Sequence, residues 1–524
     1  MRGHNRVQGG TDVDAGKDAK AGFAADYWVK ALLAAILILA AGLRLYGVEK
    51  ECPWYDEITS LRYLQAPGPV QYIQSVQMEN PVATPAYYLL QYLWAHLIDD
   101  SVVSLRLLSI AMGTVSILVI YLLAARIFNP LAGLLAALFL AVNNLHRLYS
   151  LELRGYILIF LLAALSGYAF LLAVETRQKR FWAVSLLCNL LMVWTHIFSV
   201  FFFVSQGLVL LGRIRQYRWR FVLWGVLNGL FLISALLWIK LLDPGTVLAA
   251  ASWIPKPQFL GKGGAGVWGF ILSCAGSQRV AVFAPHLGMA EFLLAAVVCL
   301  ALIAGGGALL RMPGSADLRA GLSPREKLLF LVVWLLAPPV ILFVLSYLWV
   351  PCFVNRYAFY CLIPFCILAA GGMARLRSRW LCASAILALF TLMSFQTLPL
   401  LRVPCRTDWG ATASLVQRRA GQGAPVLALD PADIYTLDYY LGPEFQVERS
   451  PSVEDMAERA ASLAADRPVI FAVLRDNGTR QDRAQFERAL AARNVGCKFR
   501  CIPSAWPIYL YDIAATSAQG QGRR

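Results

Sequence analysis

Charge is scarce in this chain. Charged residues make up 15% of its 524 positions, and histidine occurs 5 times. Hydrophobic residues make up 59%, and the mean hydropathy is +0.59. Such a composition excludes an ordinary soluble domain of this length and fits a polytopic membrane protein. Glycine-rich nucleotide loops of the Walker or Rossmann kind are missing. So are internal repeats, which weighs against a carrier built from inverted halves. The 11 cysteines give no disulfide framework. Cys188, Cys274, Cys299 and Cys382 lie in apolar runs and read as small core residues. Cys497 and Cys501, spaced C-x3-C, could pair in an oxidising compartment or bind metal, but no second Cys/His pair stands near them. Acidic residues are outnumbered, 31 against 47, for a net charge of +16. The basic residues come in short clusters between apolar runs, not on one continuous face, which argues against nucleic acid as a partner.

What the sequence does have is long apolar runs. A crossing helix takes about 20 such residues. Runs of this kind lie near 28–47, 102–124, 130–148, 155–174, 181–197, 198–213, 221–240, 289–310, 328–349, 357–374 and 380–397. The basic clusters orient them. "RQKR" (177–180), "RIRQYRWR" (213–220), the loop 311–327 and "RLRSR" (375–379) all fall inside if the N-terminus is cytoplasmic and the spans alternate. The other segments then face outward: 48–101, the turn at 146–156, "WTHIF" (194–198), 243–287, "PCFVNRY" (351–357) and everything from 399 on. "PAYYLLQYLWAHLI" (85–98) is too short to cross, and its aromatic residues suit a helix lying at the outer interface.

Four units are expected. Residues 1–26, polar and unlike a signal peptide, read as a flexible cytoplasmic tail. Residues 27–398 form the transmembrane domain. Residues 399–515 read as a small periplasmic α/β domain, with "PVLALD" and "PVIFAVLRD" as buried strands and "SVEDMAERAASLAAD" and "RAQFERALAARN" as helices. Ser452 is the expected N-cap of the first of those helices. Residues 516–524 read as a disordered end. Asn477-Gly478-Thr479 matches a glycosylation acceptor pattern, a frequent chance match.

The unusual polar groups near the membrane share the outward face. "WYDEI" places Asp56 and Glu57 just past the first span. A carboxylate at a partly dry surface suits a general base; a solvated acidic pair is the plainer alternative. "YSLELRGY" offers Glu152, Arg154 and Tyr156; "VNRY" offers Arg356 and Tyr357. Both arginines run against the positive-inside trend and suit a phosphate, with snorkelling as the bland alternative. His196 is a third candidate cation, although a lone histidine is more often structural. Glu79 and Asn80 precede the interfacial helix and suit a sugar hydroxyl or a metal, or else water. Asp56, Glu79 and His196 are the candidate ligands if a divalent metal is used, with no diagnostic spacing.

In this order, "WYDEI", "TPAYYLLQYLW", "LRLLSIAMGTVSILVIYLLAARIF", "YSLELRGYIL", "WTHIF" and "NRYAFYCLIP" resemble the bacterial members of glycosyltransferase family 39, over about residues 28–400. These are integral-membrane GT-C enzymes related to protein O-mannosyltransferases, aminoarabinose transferases of lipid A and rhizobial galacturonosyltransferases. The resemblance implies an α-helical polytopic fold of about eleven spans plus the outer domain. It implies a bacterial inner-membrane enzyme that passes a sugar from a polyprenyl-phosphate donor to a glycolipid, glycan or protein acceptor, at the periplasmic face and with inversion. Asp56 maps onto the catalytic base of the D-E motif, with Glu57 beside it. Glu152, Arg154 and Tyr156 map onto the E-x-R-x-Y turn, and Arg356 and Tyr357 onto the R-Y turn. Two departures stand out: "ATPAYY", with Thr84 and Pro85, replaces a His-Pro-Pro approach, and Leu153 replaces an alanine. A flippase or transporter of lipid-linked sugars is the alternative, which mid-membrane charges would have favoured.

Overall fold

Helix α1 (Thr11–Leu45) opens a computed structural model that describes residues 11–239, 251–258, 266–275, 288–312, 321–376, 406–419, 424–464, 470–475, 481–503 and 507–515, with isolated positions between. The helix thus begins inside the stretch expected as a flexible tail, whose first ten residues lie outside the described ones. The following loop holds a 3-10 turn at Val48–Lys50 and three helices, α2 (Tyr55–Leu61), α3 (Pro69–Glu79) and α4 (Pro85–Leu97). Both α3 and α4 start on proline, whose fixed φ and missing N–H suit a first helical turn. With 13 residues α4 is too short to cross, and it buries Tyr87, Tyr88, Gln91 and Tyr92.

Helix α5 (Val102–Ile127) crosses as expected, capped by Ser101, whose Oγ accepts the Ser104 N–H at 3.2 Å. The expected span 130–148 is instead broken. Helices α6 (Pro130–Ala141) and α7 (Asn144–Leu151) meet at a 61° bend. Asn143 makes the break: its side chain accepts the His146 N–H at 3.1 Å, starting a new helix, and its amide donates to the Cys274 carbonyl at 3.0 Å. The turn expected over 146–156 therefore shrinks to residues 152–155. His146 is buried, 2.6 Å from an Arg44 nitrogen and 3.0 Å from Ser116 Oγ. Gly113 permits this packing, since a Cβ there would stand 2.4 Å from Ser150 Oγ.

The bundle continues with α8 (Tyr156–Thr176), α9 (Lys179–Val193), a 3-10 segment at Ile197–Phe202 running into α10 (Phe203–Gly212), and α11 (Ile214–Ile239). After these come α12 (Val267–Cys274), α13 (Gly288–Leu310), α14 (Pro324–Leu348), and a 3-10 turn at Asn355–Cys361 leading into α15 (Leu362–Met373). Among the described residues 6 helical segments are long and apolar enough to cross, or 7 with the bent pair as one span. Ile197–Gly212 and Cys299–Leu310 are shorter apolar helices, and the expected span 380–397 lies almost wholly outside the described residues. Basic loop residues meet at one end of the bundle. Arg126 pairs with Glu175 at 2.6 Å, Lys327 reaches the Arg126 carbonyl at 3.4 Å, and Arg213 pairs with Glu326 at 2.5 Å. The ends of α5, α8 and α10 and the start of α14 thus share one side, as the alternation of basic loops requires.

The C-terminal domain comprises α16 (Trp409–Arg419), β1 (Pro425–Ala428), α17 (Pro431–Leu441), β2 (Gln446–Arg449), α18 (Val453–Ala464), β3 (Ile470–Arg475), α19 (Gln481–Ala492), β4 (Val495–Ile502) and β5 (Ile508–Ala515). Its sheet runs β2-β1-β3-β5-β4, parallel over the first three strands and antiparallel over the rest. The two apolar runs expected as buried strands are β1 and β3, at the centre. Helices cover both faces: Met456 and Phe486 pack on one, Trp409 and Leu437 on the other. Ser452 caps α18, accepting the Asp455 N–H at 3.1 Å. Cys497 and Cys501 stand four residues apart on β4, about 13 Å along a strand. That spacing is beyond the roughly 7 Å Cα reach of a disulfide, so the pairing considered for them is not made. The Asn477-Gly478-Thr479 pattern lies outside the described residues.

Candidate active site

Helix α2 starts where extended Trp54 turns into Tyr55, so Asp56 and Glu57 sit in its first turn. Neighbouring helical residues point about 100° apart, and the two carboxylates part accordingly. Glu57 is 2% exposed. Its oxygens accept the Trp54 N–H at 3.2 Å and the Leu153 N–H at 2.7 Å, with an Arg106 nitrogen 3.7 Å away. It caps α2 and ties the 152–155 turn to it. Asp56 faces the other way. One of its oxygens lies 3.5 Å from Arg154 Nη2, the other 3.0 Å from Arg356 Nη1. Three positions far apart in the chain meet, as the motifs required.

The arginines are held in turn. Arg154 donates to the Tyr88 hydroxyl and to Thr59 Oγ1, the latter at 3.3 Å. Arg356 lies among the rings of Trp253, Tyr156, Tyr357 and Trp54, with centroids 5.0 to 5.9 Å away. Glu152, 3% exposed, accepts from Arg406 at 2.9 Å, and Arg406 lies over the Trp54 ring at 4.3 Å. Four guanidinium groups (Arg106, Arg154, Arg356 and Arg406) lie among Asp56, Glu57 and Glu152, and buried Glu51 lines a cavity with Glu57, Glu152, Arg106 and Arg406. The Nε atoms of Arg154, Arg356 and Arg406 and Oε1 of Glu152 are buried without a hydrogen-bond partner among the described residues. Buried polar atoms left open in this way are suited to a ligand. Open guanidinium N–H groups suit an anion.

Electrostatics separates the residues further. Burial pushes the Asp56 carboxyl up, but Arg356, Arg154 and Arg406 outweigh it and hold the group below the usual carboxylate range. Burial, with Glu152 adding to it, raises Glu57 despite Arg106. His196 is pushed down to about 3 by burial and by Arg356 and Arg154. It is therefore neutral and not the third cation considered from sequence. It stands 4.6 Å from the Tyr357 ring and lines a small cavity with Tyr156, Ser199, Arg356 and Tyr360.

Glu79 ends α3 and accepts from the Tyr63 hydroxyl at 2.8 Å; Asn80 closes the same helix with its N–H on the Val76 carbonyl. Among the described residues neither forms an ion pair with the arginines. Among the described residues no group of three or more His, Cys, Asp and Glu side chains could hold a metal ion. The carboxylates around Asp56 all face guanidinium groups, a donor set that fits an anion better than a divalent cation. Arg106 and Arg406 were missed from sequence. A charged residue five positions into the span at 102 was a usable signal for the first; nothing local marked the second.

Residues 81–239 match a family model described as dolichyl-phosphate-mannose-protein mannosyltransferase. In fold the chain is similar to apo ArnT from Cupriavidus metallidurans, at 12% identity and a TM-score of 0.50, covering 93% of this chain and 98% of that one. It is also similar to the same protein bound to undecaprenyl phosphate (12%, TM-score 0.50, covering 95% and 99%). The oligosaccharyltransferase of Archaeoglobus fulgidus tethered to an acceptor peptide is similar too (12%, TM-score 0.52, covering 94% and 74%). A comparison with curated proteins finds no match. The GT-C resemblance drawn from the motifs is borne out as the fold.

Proposed function

We propose that this GT-C-fold protein is an inverting membrane glycosyltransferase that moves a sugar from a polyprenyl-phosphate donor to an acceptor hydroxyl at the periplasmic face. One observation carries the reading: half-buried Asp56 lies between Arg154 and Arg356, each with a buried N–H open among the described residues. The family-model match and the undecaprenyl phosphate bound by ArnT support the donor class. The basic loop residues collected at one end of the bundle support an outward-facing site at the other.

The donor phosphate sits against Arg154 and Arg356, its lipid between the helices. Asp56 takes the acceptor hydroxyl proton as the oxygen attacks the anomeric carbon from the face opposite the phosphate. The bond between that carbon and the phosphate oxygen breaks, and its electron pair stays on the phosphate. The guanidinium groups stabilise that charge where water is scarce. A carboxylate clamped by two arginines is a weak base. A phosphate drawing those arginines toward itself raises the basicity of Asp56 when the donor is in place. Glu57 shapes the site without touching the reacting atoms.

Asp56→Asn keeps the side-chain size and removes the base. Transfer by the full-length protein in nanodiscs, from a panel of undecaprenyl-phosphate-linked sugars, should fall roughly 10²–10⁴-fold with thermal unfolding unchanged. Wild-type transfer by this variant would sink the base assignment. Movement of the lipid-linked sugars across vesicles without any transfer by the wild type would favour a flippase.

A further inference from the structure

The C-terminal domain is docked on the loop that carries Asp56. Cys52 Sγ donates to Asp408 at 3.4 Å, and a Cβ on Gly410 would stand 2.9 Å from that sulfur. The Tyr440 hydroxyl donates to the Pro53 carbonyl at 2.8 Å. The Tyr435 ring on α17 meets Tyr55 edge-on at 5.2 Å and lies under Arg62 at 4.1 Å. Every residue from Cys52 to Tyr55 is thus touched by the domain, Trp54 through Arg406 over its ring.

Arg406 reaches deepest. Its partner Glu152 begins the turn that presents Arg154. That turn is pinned elsewhere by Ser109 Oγ on the Glu152 carbonyl at 3.1 Å and by Glu57 on the Leu153 N–H. The Glu152 carboxylate is buried and two residues from Arg154. Without Arg406 it would be a buried charge short of its ion pair, and the Arg356 guanidinium, which shares the Trp54 ring with Arg406, is placed to answer it. Arg356 would then leave Asp56 and the phosphate position.

We propose that Arg406 is a positioning residue: by occupying Glu152 it keeps Arg356 directed at Asp56 and the donor phosphate, which makes the C-terminal domain a working part of the membrane site. It rests on the donor class proposed above.

The test measures binding of undecaprenyl phosphate to the full-length protein in nanodiscs, with undecaprenol as the control lipid. Arg406→Gln should weaken undecaprenyl phosphate binding about tenfold, and adding Glu152→Gln should return it to within about threefold of wild type, because neither buried charge then remains. Arg406→Lys, which keeps the charge, should stay within about threefold. Unchanged binding by Arg406→Gln would overturn the proposal. So would a double variant as weak as the single one, which would make Arg406 a direct phosphate ligand. If Arg406→Gln does not fold, a folded double variant with restored affinity supports the proposal, and a folded double variant without it overturns it. A wild type that does not prefer undecaprenyl phosphate to undecaprenol would sink the donor class itself, a different failure.

Discussion

At the scale of single residues, the decisive feature is a carboxylate held ionised by its neighbours. Arg356 is the strongest of the charges acting on Asp56. In the donor-free protein this keeps the carboxylate ionised below the range in which an ordinary aspartate, with a pKa of about 3.9, becomes protonated. Arg356→Gln removes a cation, so the Asp56 pKa rises. The acid limb of residual transfer should move to higher pH, even as donor binding weakens. A pH profile of single-turnover rates for both proteins checks this, and an unmoved limb would contradict the electrostatic coupling of the pair.

At the scale of elements, the bend between α6 and α7 brings Glu152 and Arg154 to the site, because it sets where the 152–155 turn emerges. Asn143 holds that bend with a cap and a side-chain bond to Cys274. Asn143→Ala removes both and should destabilise the protein by about 1–3 kcal/mol, read as a lower thermal midpoint in detergent. The sequence made the spans legible through their length and the sidedness of the face through basic loops. It made Asp56, Arg154 and Arg356 legible because they broke the apolar pattern. The break at Asn143 was hidden, since α6 and α7 together read as one apolar run. The different duties of Asp56 and Glu57 were hidden too: adjacency in sequence says nothing of which one faces the arginines until α2 is packed. His196 was read as a possible cation because its protonation depends on neighbours from other elements.

At the scale of the whole molecule, the extramembrane domain has its own response to pH. Asp433 on α17 is 5% exposed and lies 3.2 Å from Arg475. Burial pushes its carboxyl up to about 7 despite Arg475, with Asp430 adding to the effect. The folded state therefore holds this proton more tightly than the unfolded chain does. Stability from this group is present at low pH, declines as pH rises from about 4 to about 7, and is level above that. Asp433→Asn should flatten the decline, measured as thermal midpoints at about pH 5 and about pH 8. An unaltered slope would assign the dependence to other groups.

The edge strand β4 has a practical use. Cys497 and Cys501 are exposed there, whereas the other described cysteines are buried or half-buried. A membrane-impermeant maleimide applied to intact spheroplasts should tag this strand, and substituting both thiols by serine should abolish most of the tag. Modification only after lysis would place the domain, and with it the arginine-lined site, on the cytosolic side.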